Sequence, residues 1–307
     1  MHSDPTQKTL KMRLKLFAFC GPFIALVFLF YPMGYFVLGP DPAPSNTQIS
    51  VPITSGKVQA YIINLDRAPE RYASVKNLVE TLGFPVTRLS ATDGKTLSKI
   101  EIQEKVDGTI YEKLMGHSAQ LGTIGCYLSH LRTWQAFLDS DAEFALVFED
   151  DIHFDPARLR ETIDELLQNT QLWDSVSFDL FGTAHPWTLT TLKNNGKLSV
   201  YPRQVTHAGA YLMNRKAAQK WIARALPIKM PLDHYFIRSW EFGLQFTGIE
   251  NPRLVSQTFG DSHIVHSPHL SDQPLPWISP LSQKLFHFQS SIAWFFYNLK
   301  TYISAKV

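Results

Sequence analysis

Residues 145–154 read ALVFEDDIHF, four apolar residues followed at once by Glu149, Asp150 and Asp151. A short apolar run of this kind is what a buried strand looks like. Three adjacent carboxylates repel one another, and the end of an apolar strand solvates them poorly. A divalent cation relieves both costs, because hard oxygen ligands suit magnesium or manganese. In extended backbone Glu149 and Asp151 point to one side and Asp150 to the other, so an acid-x-acid pair can share one ion. Open α/β sheets bind ligands beyond the carboxyl ends of their strands, which is where this trio falls. A solvated turn capping the following helix uses the same residues, and spacing alone does not choose between the two.

Other side chains with chemical capacity lie around it. Asn64, Arg67 and Arg71 follow the first apolar run. The two arginines are four residues apart and can share a helical face, offering planar donors to phosphate or a base. Salt bridges to Asp66 or Glu70 are the plainer use of them. Asp93, Gly94 and Lys95 form a turn signal. Ser129 and His130 lie in a helical stretch, His130 read as a packing histidine and Trp134 as core. His263 and His266 stand near the end of the globular sequence.

The elements that must position these groups are legible as periodicities. VQAYIINL (58–65) reads as a buried strand, and Phe84–Leu89 as a second. Leu121, Ile124, Leu128, Leu131, Trp134 and Leu138 recur at helical spacing over 118–139. Phe144–Phe148 is the next strand, Pro156 opens a helix, and SVSFDLF (175–181) is strand-like again. Helices are predicted over 215–225 and 232–241. Strands alternating with helices imply an α/β domain with a mostly parallel central sheet.

The rest of the chain bounds the function. Of its 307 residues 45% are hydrophobic and 18% charged, and the formal net charge is +2. That is a packed protein without the electrostatic footprint of a nucleic-acid binder. Cys20 and Cys126 are far apart, and no Asn-x-Ser/Thr sequon occurs; both observations lean away from an oxidising, glycosylating compartment. Residues 1–15 form a basic tail. Residues 16–39 carry no formal charge over 24 positions, and a helix of that length would reach ~36 Å against ~30 Å of hydrocarbon. A transmembrane anchor is therefore expected over 16–39, with the tail on the cytoplasmic side by the positive-inside rule. Pro22 and Pro32 leave room for a segment that does not cross. Residues 40–56 hold four prolines and read as a linker; 58–270 is the globular domain. Over 273–307 there is no acid, three lysines and a dense apolar group, a composition that suits either an interfacial helix or a terminal helix packed on the domain.

Several motifs stand in series: YIINLDRAPERY (61–72), ATDGKTL (91–97), LGTIGCYLSHLRTWQAFLDSDAEFALVFEDDIHF (121–154), HAGAYLMNRKAAQKW (207–221) and PLDHYF (231–236). In this order they resemble glycosyltransferase family 25, the lipopolysaccharide sugar transferases of bacteria and their collagen-galactosyltransferase relatives. The resemblance covers roughly 58–265. It implies a GT-A-type fold, a UDP-sugar donor (UDP-galactose is the commonest), transfer with inversion, and a Mn2+ or Mg2+ cofactor. On that footing Glu149 and Asp151 are the metal ligands, and Asp150 either joins them or binds the donor's ribose. Asn64, Arg67 and Arg71 flank the nucleotide, with Asp93, Gly94 and Lys95 near base and ribose. Asp233, between apolar neighbours, is the general base, or else a helix N-cap. His207 belongs to the fourth motif, and His263 or His266 could supply a further metal ligand. The acceptor is a lipid-linked or lipopolysaccharide glycan. The implied location is a membrane, with the domain facing the cytoplasm of a bacterium or, alternatively, a Golgi-type lumen. The rival functions are a metal-dependent phosphatase or nucleotidyltransferase using the same acids, and a non-catalytic membrane scaffold of the same fold.

Overall fold

The computed structural model describes residues 57–182, 185–250, 253–257, 268–270 and 279–306. The apolar runs become strands and the 3.6-residue spacings become helices. In chain order these are β1 (Val58–Asn64), α1 (Pro69–Glu80), β2 (Val86–Ser90), α2 (Lys99–Lys105), α3 (Gly108–Met115) and α4 (Leu121–Asp139). Next come β3 (Phe144–Glu149), β4 (Ile152–Phe154), α5 (Pro156–Leu167), β5 (Ser175–Ser177), β6 (Trp187–Thr191), β7 (Lys197–Val200) and β8 (Ala210–Asn214). The last are α6 (Arg215–Ile222), α7 (Leu232–Phe236), α8 (Ser239–Phe242), β9 (Phe246–Glu250), β10 (Val255–Gln257) and α9 (Ser279–Ser304). Short 3-10 turns occupy Gly94–Thr96 and Thr170–Leu172.

Strands β2-β1-β3-β8-β5-β9-β7-β6 form one sheet, and β10 pairs with β4 beside it. Ala60, Ile62, Leu146, Phe148, Val176 and Leu212 are fully buried in its core. Phe144 through Phe148 are all buried and burial relaxes at Glu149, as the sequence of β3 anticipates. Pro156 sits in the first turn of α5, where its missing N–H costs nothing, and Asp155 caps that helix by accepting from the N–H groups of Ala157 and Arg158. The predicted helix over 232–241 is two short helices, α7 and α8.

The sheet is mixed rather than mostly parallel, which corrects that expectation. β1 is parallel to β2 and β3, and β5 to β9, while β8 runs antiparallel to β3 and β5, and β7 antiparallel to β9 and β6. The reason lies between residues 178 and 209, where strands succeed one another with no helix among the described residues. A parallel neighbour needs a crossover, usually helical; strands joined without one return antiparallel.

The anchor expectation is also corrected: among the described residues no helix is long and apolar enough to cross a membrane. The fold as described carries no membrane-spanning element in support of the membrane location inferred from a single amino-terminal anchor. Residues 16–39, where the anchor is expected, lie outside the described residues, as do the basic tail and the linker. From the acid-free tail, α9 seats Phe286, Ser290, Trp294 and Asn298 against the domain. Trp294 Nε1 donates to the Tyr201 carbonyl (2.5 Å) and Gln283 Nε2 to that of Met115 (2.8 Å). Leu285, Phe288, Phe295 and Ile303 of the same helix are exposed.

Candidate active site

β1 and β3 lie in register from Val58 opposite Phe144 to Ile63 opposite Glu149, so the two strands leave the sheet at one level. The segments beyond their carboxyl ends therefore meet. Asn64, Arg67, Arg71, Asp93, Gly94, Lys95, Glu149, Asp150 and Asp151 all line one cleft, along with Cys126, Ser129 and His130 of α4. All of the residues expected at the donor, and both acids expected at the metal, are there. Asp233 is not in that lining. It lies half-buried in the first turn of α7, and its charge is felt by Cys126 and His207.

The expected alternation along the acids is not kept, because Asp150 and Asp151 form a turn between β3 and β4. Both therefore face Arg71, whose Nη2 is 2.5 Å from Asp150 Oδ1 and 3.2 Å from Asp151 Oδ2. Glu149 looks the other way. Its Oε1 accepts from His130 Nε2 (3.1 Å) and the Cys126 thiol (3.6 Å), and its Oε2 lies 3.4 Å from Gln257 Nε2.

Neither arginine makes the salt bridges that the sequence offered. Arg67 Nε donates to Asp93 Oδ2 (2.7 Å), and Asp66 is taken by Arg88 (2.7 Å) and Ser90 (2.6 Å). Asn64, 1% exposed, ties the cleft together. Its Nδ2 donates to the Ala68 carbonyl (2.8 Å) and to Asp150 Oδ2 (2.6 Å), while its Oδ1 accepts from Arg88 at 3.0 and 2.7 Å.

The Asp93-Gly94-Lys95 turn is pressed against α4. A Cβ on Gly94 would fall 1.8 Å from the Leu121 carbonyl oxygen, and one on Gly125 2.5 Å from that of Thr92, so only glycine fits either place. Ser129 secures the contact: its Oγ accepts from the Thr92 N–H (2.8 Å) and donates to the Gly125 carbonyl (2.6 Å).

The electrostatics suit a cation. Burial and the charge of Glu149 push Asp151 up to about 7, with Arg71 pulling the other way. Burial also opposes the charge on Glu149, but the hydrogen bond and field of His130, with Cys126 and Arg71 nearby, hold its carboxyl below the ordinary range. Two carboxylates thus share one guanidinium beside a third, and one of the two, Asp151, is held against its own ionisation. A hard divalent ion fits such an oxygen set. Cys126, His130 and Glu149 form a further group whose potential ligand atoms all lie within 4.8 Å of one another.

Some members of the site were not found from sequence. Asp179, 1% exposed, accepts from the Gly209 N–H (2.8 Å) and from Ser177 Oγ (3.1 Å); burial and Glu149 push it up to about 7. An acid inside the apolar run SVSFDLF was the signal for it. His207, already named with the fourth motif, stands in the left-handed backbone region (φ 81°), its Nδ1 4.0 Å from Asp179 Oδ2 and its ring stacked on Phe181. Arg88 and Tyr211 enter only through strand pairing. His263 and His266 lie outside the described residues.

Comparison with known proteins identifies the family. The model of Glycosyltransferase family 25 (LPS biosynthesis protein) matches residues 57–236. A glycosyltransferase 25 family member of Drosophila pseudoobscura pseudoobscura is 40% identical over 99 residues, 31% of this chain and 16% of that protein. Procollagen galactosyltransferase 2 of Homo sapiens is 26% identical over 132 residues, 41% of this chain and 21% of the relative. The inactive glycosyltransferase 25 family member 3 of Mus musculus is 25% identical over 124 residues, 38% of this chain and 21% of the relative. The chain thus spans about a fifth of the length of these relatives. With the family model covering more than half of the chain and taking in both strands and the acid turn of the cleft, the protein belongs to glycosyltransferase family 25.

Proposed function

We propose that this chain transfers a sugar from a UDP-sugar to a hydroxyl of a glycan acceptor, with inversion at the anomeric carbon and with a divalent metal. Galactose is the sugar we assign, on the similarity to a procollagen galactosyltransferase. The family's description as lipopolysaccharide biosynthesis proteins supports a lipopolysaccharide core or O-chain as acceptor. The observation that carries the reading is the convergence of the first-strand arginines, the Asp93 turn and the three acids on one cleft.

In this reading Asp151, with Glu149, would hold Mn2+ or Mg2+, and such an ion would supply Lewis-acid stabilisation of the leaving oxygens. Arg67 and Arg71 exchange part of their pairing with Asp93 and Asp150 for the donor's phosphates. Asp93 and Asp150 then accept from ribose hydroxyls, and Gly94 keeps the turn low enough for Lys95 to border the base. The acceptor O–H bond breaks as its oxygen bonds to the anomeric carbon. The proton goes to Asp233, the anomeric carbon–phosphate oxygen bond breaks on the opposite face, and UDP leaves.

Incubating the full chain with UDP-galactose and MnCl2 tests this. UDP release, slow with water and faster with a glycan acceptor, is expected, and Asp151→Asn should lower it at least a hundredfold. Release of inorganic phosphate from the nucleotide instead points to a phosphatase, and no turnover of any UDP-sugar to a scaffold. Turnover unchanged by Asp151→Asn overturns the site assignment.

A further inference from the structure

Cys126, His130 and Glu149 have the ligand types and spacing of a soft-metal site. The hydrogen bonds behind His130 point to a different use. Trp134 Nε1, which can only donate, gives its hydrogen to Tyr211 OH at 2.8 Å. Tyr211 OH lies 2.8 Å from His130 Nδ1, and no other acceptor for its hydrogen stands among the described residues. Trp134, His130 and Tyr211 are all fully buried. A phenol that already accepts from Trp134 has one hydrogen to place, and leaving a buried donor unplaced is costly. It therefore donates to Nδ1. His130 Nδ1 is then the accepting nitrogen, and Nε2 carries the ring hydrogen. That hydrogen is directed at Glu149 Oε1, 3.1 Å away, an ionised acceptor that can only receive.

The chain of donors thus runs in one direction: Trp134 to Tyr211 to His130 to Glu149. The Cys126 thiol ends on the same oxygen at 3.6 Å. Both potential soft ligands are occupied as donors, and both fix Oε1. Among the described residues Oε2 has only the long 3.4 Å contact from Gln257.

We infer that His130 is a positioning residue: the buried Trp134–Tyr211–His130 relay fixes its tautomer and anchors Glu149 by Oε1, presenting Oε2 to the cleft as a hard ligand, and the Cys126–His130–Glu149 group is the support of the metal site rather than a second metal centre. The inference rests on the proposed metal site for its consequence, but not for the tautomer.

Two measurements on the full chain separate the parts. Long-range proton–nitrogen NMR of the natural protein reads the His130 ring, assigned by its disappearance in His130→Gln. A hydrogen-bearing Nε2 and a bare Nδ1 are expected. The reverse pattern, or a ring whose Nε2 loses its hydrogen on adding ZnCl2 alone, overturns the relay. Titration with MnCl2, read by manganese EPR, gives the second. His130→Ala should weaken Mn2+ binding ~10–100-fold, the usual effect of removing a support behind a ligand. His130→Gln, whose amide can donate from the Nε2 position, should recover most of that loss, and Tyr211→Phe should fall between. Failure of Gln to recover affinity while the variant stays folded, or a natural affinity in Tyr211→Phe, also overturns it. If the natural chain has the expected tautomer but takes up no Mn2+, the metal reading fails and the link from His130 to metal affinity fails with it.

Discussion

Asp179 offers the most quantitative test of how this site is built. It is 1% exposed, and burial together with the charge of Glu149 moves it from 3.8 to about 7. An acid whose folded affinity for the proton exceeds its unfolded affinity penalises the fold once it must ionise. Below 3.8 it is protonated in both states and costs nothing. Between 3.8 and about 7 stability falls with rising pH, and above about 7 the full penalty persists. At about 1.4 kcal/mol per tenfold in proton affinity, that penalty is ~4 kcal/mol. Asp179→Asn keeps the acceptor facing the Gly209 N–H and removes the charge. Urea unfolding of both proteins at pH 5 and pH 8 isolates the effect, because groups common to both cancel in the double difference. The stability gained by the variant should be larger at pH 8 than at pH 5, by ~3 kcal/mol in the limit of no relaxation and by at least ~1 kcal/mol. A double difference near zero, or a variant that loses ground as pH rises, refutes the claim that Asp179 is ionised against its surroundings. UDP release should fall in the same variant if the buried charge serves the site.

Four further outcomes are expected. Below pH ~7 the affinity for Mn2+ should drop about tenfold per pH unit, because a proton competes for Asp151, and Asp151→Asn should flatten that slope in the EPR titration. Gly94→Ala, which drives a Cβ to 1.8 Å from the Leu121 carbonyl, should cost ~3 kcal/mol or more in urea unfolding and weaken UDP binding by calorimetry. Asp233→Asn should lower kcat ~10²–10⁴-fold while leaving the calorimetric affinity for Mn2+ and UDP within a few-fold of the natural value. Trp294→Ala removes a 2% exposed side chain that joins α9 to Tyr201; a loss of ~3–5 kcal/mol and rapid tryptic cleavage at Lys284 or Lys300 are expected.

How much of this could be read from the chain depends on how local the cause is. The apolar run before Glu149 made β3 and its charged stop legible, and so did the 3.6-residue spacing over α4. The motifs carried the residues expected at the donor and the metal into one group before any strand was paired, and β1 and β3 then put them at one level. What failed was non-local. The antiparallel entry of β8 between β3 and β5 depends on a helix-free connection whose strands are only three to five residues long. Asn64 lines the cleft with the other residues expected at the donor, but that its amide is engaged by Ala68, Asp150 and Arg88 was not legible, because it needs β2 at its side. The turn at Asp150–Asp151 replaced the simple alternation of an extended chain. Trp134 was read as core, which it is; its indole N–H opening a relay to Glu149 needs Tyr211 from another strand.

The central claim is that a divalent ion sits on the acid turn and meets the donor's diphosphate there. Crystals of the full chain grown with UDP and MnCl2, with data collected on both sides of the manganese absorption edge, measure this directly. An anomalous peak bonded to Asp151 and to Glu149 Oε2, in contact with both phosphates, is the predicted result. UDP bound outside the cleft between Arg71 and Asp151, or manganese ligated by Cys126 and His130, contradicts it.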